Sequence, residues 1–509
     1  MTPNLKISSA IVLVILASGS LAAQTGTLID GPARLSVSTP LGPGVLRLTG
    51  FDGREGISEL YSFHLDLVAP DGRDIPFEAV LGQDVVVSVA LPDGQTRYFH
   101  GFCNRFASGD RASARSYEAE IVPRAWLLTL RSRSRIFQEL SIPQIVARVL
   151  GDVPGLAFDL RLQRTYSPRP YVVQYDETDF AFVSRLMEEE GISYFFTHAP
   201  DGHTMILVDA SGGNPALAGV VPFRSDTAST ARADAIFTWS KTQEVRSGKV
   251  TLRDFNFELP GENLERSAMI QDSVQAGQVV HRLNVAGNDR LEIYDYPGGY
   301  AKRFDGIDPA GAERPGDLQN LAGEAERVAG LRMQAEAAPG LTIRGVATAP
   351  ELTSGHLFTL SGHPTASGAY LLTSVQHTAR VLTSSGGALY HDAFTCIPSG
   401  LPYRPPRKTP RPIIPGTQTA FVVGPAGEEI FTDRFGRVKV QFHWDREGRS
   451  DESSSCWIRV AQPSVENGAA IIPRVGWEVV VSFQEGDPDQ PIIVGSLYNP
   501  DRPPPPRSL

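Results

Sequence analysis

One stretch limits what this chain of 509 residues can fold into more than any other. The segment IPSGLPYRPPRKTPRPIIPG, Ile397 to Gly416, is rich in proline and arginine. Its prolines lack the amide hydrogens that a sheet ladder needs, so it cannot pair as a strand and reads as a linker, 397–416. It divides a long N-terminal part, 28–396, from a compact C-terminal stretch, 417–500, and at this length more than one core is expected. The chain carries 48 Gly and 39 Pro, which favours turns and short strands over long helices and predicts a mainly β protein with some α.

The N-terminal part opens with short alternating runs: LSVST, GVLRLTG, YSFHLDLV and DVVVSVALPDGQTRYFHGF. The last reads as a hairpin around Pro-Asp-Gly, and together they predict a barrel or sandwich. SIPQIVARVLGDV then puts Ile142, Ile145, Val146, Val149 and Leu150 on one helical face. DETDFAFVSRLMEEEGISYFF does the same with Phe182, Val183, Leu186 and Met187, with Asp176 or Thr178 as its cap and Gly191 as its stop. A third helix is expected over DLQNLAGEAERVAGLRMQAEAA, with Leu318, Leu321, Ala325, Val328 and Leu331 on one side and Asp317 as its cap. Strands are expected around it, in AIFTWSKTQEVRSGKVTLRDFNF, HLFTLSG, GAYLLTSVQHTA and YHDAFTC.

Two groups invite a chemical reading. Glu188-Glu189-Glu190 ends the second helix with the charge its dipole least favours. It is either a carboxylate site or, as charge runs on amphipathic helices usually are, a solvated face, which is the expectation here. His198 and His203, in THAPDGHT, lack a carboxylate at metal-ligand spacing, so a zinc site is weakly indicated.

Beyond the linker, TAFVVG, RVKVQFHW, CWIRVAQP, EVVVSFQEG and PIIVGSLYN give five short strands, which suit a small closed barrel of the oligonucleotide/oligosaccharide-binding (OB) type. In RVKVQFHWD, alternation points Val438, Val440, Phe442 and Trp444 one way and Arg437, Lys439, Gln441, His443 and Asp445 the other. The first row is read as barrel core. The second is read as an exposed or subunit-facing row, with a metal or acid/base pair at His443 and Asp445 as the lesser alternative. Arg437, Lys439, Trp444 and Trp457 could serve single-stranded nucleic acid, but alternation separates the tryptophan at 444 from the cations.

A net charge of −10 gives no general attraction to nucleic acid or anionic lipid. Cys103, Cys396 and Cys456 form no CxxC pair and are expected to be buried thiols. The first 27 residues have the layout of a secretory signal, with Lys6, an apolar run and small residues at Ser20, Ala22 and Ala23, and are read as a signal-like leader or an overextended start. No nucleophile elbow, Walker loop or HExxH motif occurs, so neither catalytic residues nor cofactors nor metals are assigned.

Taken in order, RIFQELSIPQIV, VQYDETDFAFVSRLMEEEGISYFF, YDYPGGY, RPPRKTPRP, VVGPAGEEIFTDRFGRVKVQFHWDREG, SSCWIRVAQP and PRVGWEVVVSFQEGDPDQPIIVGSLYNP resemble the VgrG family. That family supplies the spike of bacterial type VI secretion systems and is related to contractile-phage baseplate hub and spike proteins. The resemblance implies phage-hub-like β-barrels over 28–396, a spike-base barrel over 417–500, and a homotrimer that sits on the Hcp tube among baseplate proteins. It implies a structural rather than enzymatic role, with assembly in the bacterial cytoplasm and exit by the type VI route. Family members continue into a β-helical needle that meets a PAAR tip and carries effectors. Here a polyproline tail, 501–509, follows the last strand, and the needle is expected to be lacking. The alternative is an exported carbohydrate-binding or hydrolytic protein, using the leader, the barrel and the acidic run.

Overall fold

The computed structural model describes residues 27–29, 35–91, 94–111, 114–225, 234–381, 388–462 and 471–505. Residues 1–26 of the leader, the turn residues Pro92 and Asp93, and residues 506–509 of the tail lie outside them. Among the described residues the chain builds three main cores, one mainly from 46–207, one mainly from 221–401 and a small one from 414–493, beside a cluster of Phe195, Ile206 and Val208.

The alternating runs form one large sheet. Leu35–Ser38, Asp84–Ala90, Thr96–Arg111, Ala114–Val122, Ser62–Ala69 and Arg47–Gly56 follow one another across it, and Arg47–Gly56 then pairs with Gly368–Val381. Ala388–Pro398, Leu341–Ala347 and Ile236–Gln243 complete the path. The pairing that sets Gly50 opposite Arg380 and Gly56 opposite Ser374 is therefore a seam, stitching the first core to the second across more than three hundred residues of sequence. Alternation along these strands buries Phe51, Phe63, Leu65, Phe99 and Ile121 on one face, the period-two pattern of a half-buried sheet.

Helix α1, Ile142–Gly151, buries Ile142, Ile145, Val146, Val149 and Leu150, the face its sequence spacing picks out. Gln144 reaches back to the Ser141 amide at 2.9 Å, so the first turn has its free donor satisfied. Helix α2, Asp179–Glu190, is capped by Thr178, whose hydroxyl accepts the Ala181 amide at 3.1 Å. Gly191 ends it in the left-handed region at φ 68°, and an added Cβ there would lie 2.7 Å from a Leu331 methyl. The third expected helix is two: α3, Pro315–Leu318, and α4, Leu321–Ala337. Asp317 lies inside α3 and caps neither, and Leu318 and Leu331 are only half-buried, while Ala329, Met333 and Ala337 join Leu321, Ala325 and Val328 in the core. Alanine-rich spacing let the buried stripe shift by one position without losing helical period.

The C-terminal unit has strands Thr417–Val423, Lys439–Phe442, Arg459–Val460, Glu478–Phe483 and Pro491–Leu497. In the sheet they run 439–442, 417–423, 478–483, 491–497, 459–460. Val438 and Ile458 then exchange both backbone hydrogen bonds, at 3.0 and 2.8 Å, joining the two end strands and curling the sheet shut. Closure leaves no long edge for another chain to pair with. Val438, Val440 and Phe442 point inward, with Trp444 half-buried and stacked on Phe442 at the rim. Cys103 and Cys396 are buried as expected; Cys456 is half-buried beside the cleft between barrel and N-terminal part.

Gly191→Ala should destabilise the protein by about 1–3 kcal/mol, from a non-glycine residue held at positive φ, plus its contact with Leu331. Urea unfolding followed by tryptophan fluorescence measures it.

Candidate functional site

The linker is pinned to the folded body by side chains. Arg404 donates to Gln334 at 2.8 Å and to the carbonyls of Gly191 and Asp209. The Lys408 and Thr409 amides donate to Glu188 at 3.1 and 3.0 Å, and Arg411 pairs with Glu189 at 2.8 Å. Ile414 reaches into the small barrel's core, and its amide bonds the Gly486 carbonyl. Proline keeps the backbone out of the sheets, while arginine fastens it. The segment is a strap.

What it is fastened to corrects a sequence expectation. Glu188, Glu189 and Glu190 are buried, not solvated. Arg169 bridges Glu189, at 3.0 Å, and Glu190. Arg303 pairs with Glu190 at 3.0 Å, while Arg164 and Arg327 each reach Glu190's other oxygen at 2.8 Å. Glu324 of α4 closes the network against Arg303 and Arg327. Burial by itself would raise these carboxyls, but Arg411 and Arg169 hold Glu189 well below the usual range, and Arg303, Arg169 and Arg327 do the same for Glu190. Glu188, which meets a hydroxyl and amides instead of a guanidinium, is pushed up by its burial. The run offers no open carboxylate for hydrolysis, and that support for an exported hydrolytic protein falls away. A buried cluster like this contributes little net stability when complete, but breaking it strands charge in a low-dielectric site.

The barrel is joined to the body with the same chemistry. Arg437 makes two 2.9 Å bonds to Asp305 and also pairs with Asp433, while its guanidinium lies 5.1 Å from the Phe257 ring. Lys302 holds Asp487 and Asp489 at 2.6 and 2.7 Å, and Asp489 also accepts the Val173 amide at 2.7 Å. Tyr175 packs edge-on against Trp444, and Gln418 bridges the two, donating to the Tyr175 hydroxyl and accepting from the Trp444 indole.

These contacts divide the second side-chain row. Arg437 and Lys439 are buried within the chain; Lys439 lies over the Trp457 ring at 4.8 Å and donates to the Glu452 carbonyl. They are neither exposed nor displayed for nucleic acid, because Asp305 of the hub covers one and Trp457 and Glu452 of the barrel cover the other. Gln441 bonds Asp445, whose carboxylate also caps the amides of Glu447 and Gly448. His443 is exposed, accepts or donates at Thr419 Oγ1, 2.9 Å away, and stands edge-on to Phe421. His443 and Asp445 therefore hold separate partners.

His198 and His203 sit opposite one another on paired strands, joined by His100, which the sequence did not flag. The Arg124 amide donates to His203 Nε2 at 2.9 Å, so a neutral His203 carries its proton on Nδ1 and donates it to His100 Nδ1, 2.9 Å away. His198 Nδ1 accepts the His100 amide at 3.1 Å. His100 and His203 are thus hydrogen-bonded ring to ring and to backbone, and His198 to the His100 backbone, while His198 Nε2 is buried without a partner among the described residues. Burial pushes His203 down to about 3, with His100 adding to the effect, and also lowers His198 and His100. At the seam, His377 lies buried between Asp392, at 2.7 Å, and Glu55, at 3.2 Å; burial opposes its protonation, but the two carboxylates outweigh it and raise its value. No local pattern announced this trio, whose members come together only through strand pairing.

Glu190→Ala should cost about 3–5 kcal/mol in urea unfolding, since it leaves buried arginines unpaired. His203 makes a pH prediction. Its folded value, about 3, lies below the ordinary 6.5, so the unfolded chain binds the proton first as pH falls. The contribution is complete above about pH 6.5 and is lost as pH drops towards 3; at pH 5 about 2 kcal/mol is gone. His377, raised, works in the opposite sense, so the comparison must be with His203→Gln. That variant should lose about 2 kcal/mol less than the parent between about pH 7.5 and 5.

Comparison with known proteins is consistent with this architecture. The model of the phage tail baseplate hub (GPD) matches residues 54–382, and that of the type VI secretion system/phage-baseplate injector OB domain matches 430–498. The type VI secretion system spike protein VgrG1c of Pseudomonas aeruginosa is 40% identical over 475 residues, covering 91% of this chain and 61% of the relative. VgrG1a of the same organism is 39% identical over 481 residues, covering 91% of this chain and 69% of its own length. The chain thus spans between three-fifths and seven-tenths of these relatives. Among solved structures, the E. coli c3393 protein, a component of the type VI secretion system with structural similarity to the T4 phage tail proteins gp27 and gp5, superposes with TM-score 0.60 at 21% identity, over 91% of this chain and 100% of that one. A Francisella PdpA-VgrG complex matches with TM-score 0.56 at 11% identity, over 89% of this chain and 67% of that one. By its identity to these spike proteins and the two matched models, the chain belongs to the VgrG family of type VI secretion spike proteins and carries the phage tail baseplate hub domain.

Proposed function

We propose that this chain is the trimeric hub and spike base of a type VI secretion apparatus, seated on the Hcp tube among baseplate proteins and driven with its effectors toward a target cell when a sheath contracts. It assembles in the cytoplasm and leaves by the type VI route. Its work is mechanical and involves no turnover. The observation that carries the reading is the way barrel and hub are joined: Arg437–Asp305, Lys302–Asp487 and the strap anchors distribute the contact over several segments of each. A part that transmits axial thrust must not hinge between base and tube, and here the one covalent connection, the strap, is itself fastened to the hub and to the barrel.

Subunit contact is assigned to the outer face of the small barrel. His443 and Phe421 lie there with Val494, Leu497 and Tyr498, large apolar side chains that are exposed in the single chain. Of the polar row, Gln441, His443 and Asp445 face the neighbouring chain, while Arg437 and Lys439 brace the strand from behind.

Sedimentation of residues 28–509 should give a trimer, and a monomer at tens of micromolar would contradict the proposal. His443→Ala should weaken the trimer by roughly tenfold while leaving the melting temperature of the dissociated chain unchanged. Arg437→Ala should instead lower that melting temperature, because Asp305 and Asp433 lose their buried cation.

A further inference from the structure

Between strap, hub and barrel lies a cavity of about 410 Å³. Four arginines reach its wall. Three have carboxylate partners: Arg185 with Glu177 at 2.7 Å, Arg332 with Asp295 at 2.7 Å and Arg411 with Glu189 at 2.8 Å. The fourth, Arg407, makes no ion pair among the described residues. Its one hydrogen bond runs to the Glu189 carbonyl at 3.4 Å, long for a guanidinium. The acids of the wall are already committed: Glu188 to Thr409, Glu189 to Arg411 and Arg169, Asp295 to Arg332, and Asp487 to Lys302. Only Glu485, exposed at the rim, has no such tie.

A guanidinium removed from bulk water without a counter-charge is unfavourable, and proteins resolve this with a carboxylate. Arg407 is half-buried, and burial together with the positive charges of Arg332, Arg411 and Arg303 outweighs the help of Glu189 and pushes it down to about 9. The mouth of the cavity adds an apolar element, since Tyr296 is 56% and Ile413 67% exposed beside Pro297 and Pro412. Exposed apolar side chains around a cavity holding an unmatched cation are complementary to a short chain segment that carries an acid between apolar residues.

We propose that this cavity is a docking pocket for an acidic peptide segment of a protein partner, whose carboxylate pairs with Arg407 while its flanking apolar side chains pack on Tyr296 and Ile413. Neither His443 nor Phe421 lines the pocket, so it stands or falls independently of the trimer contact.

The test titrates the full chain by calorimetry with a blocked hexapeptide of alternating leucine and glutamate, the same peptide with glutamine, and inorganic phosphate. The glutamate peptide should bind at least about tenfold tighter than the glutamine peptide, as one charge-assisted pair provides, and Arg407→Gln should remove that difference. Added salt should weaken the binding. Without peptide, Arg407→Met should melt no lower than the parent, because it deletes an unmatched charge and not an ion pair. Glu485→Gln should also leave the melting temperature unchanged. Absence of glutamate-peptide binding, equal affinity for both peptides, or unchanged affinity in Arg407→Gln would each overturn the proposal. So would phosphate binding at Arg407 as tightly as the peptide, which would make the pocket an inorganic-anion site. A lowered melting temperature in Arg407→Met or Glu485→Gln would overturn it too, by showing that the cation is matched within the chain.

Discussion

The end of helix α2 carries three consecutive glutamates where its own dipole disfavours them, and folding buries all three. Glu188 is met by the Lys408 and Thr409 amides and the Thr409 hydroxyl, while Glu189 and Glu190 are met by guanidinium groups that come from Arg164, Arg169, Arg303, Arg327 and Arg411. These donors belong to the first core, the second core, helix α4 and the strap. One electrostatic requirement therefore ties four parts of the chain to a single point, and misplacing any of them leaves a charge uncompensated. The strap's path follows: with Arg404 and Arg411 fixed beside α2, Ile414 is delivered to the barrel's core and the first barrel strand begins at Thr417.

The same logic recurs at two other joins. The seam between the two hub cores encloses His377 between Asp392 and Glu55, with Arg97 on Glu55. The barrel meets the hub through Arg437 on Asp305 and Lys302 on two aspartates. Within each core, apolar burial supplies the stability. Between cores, buried charge pairs fix which surfaces meet and at what angle. Such pairs are directional where apolar contact is not.

What was legible in the sequence was what depends on local period. The faces of α1 and α2, the Thr178 cap, the Gly191 stop, the five barrel strands and the inward row Val438, Val440 and Phe442 could all be read from spacing. What was not legible depended on distant partners. Arg437 looks like a surface cation until the packing of barrel on hub brings Asp305, 132 residues away, against it. Glu188–Glu190 look solvated for the same reason. The prolines of 397–416 correctly exclude a strand, but the linker reading gave no role to its arginines, and Arg404 and Arg411 are what anchor the segment. The family resemblance supplied the order of the domains, whereas the way they are locked together had to come from the geometry.

The central claim is that hub and barrel form one rigid body. Spin labels at Glu118→Cys on the hub sheet and Arg446→Cys on the barrel, both exposed positions, allow the distance between the two units to be measured by pulsed electron resonance. With the labelled chain diluted in an excess of unlabelled chain, so that each trimer carries at most one labelled copy, the account predicts a single narrow distance distribution. A broad or two-peaked distribution would contradict it, because it would mean that the barrel swings on the strap.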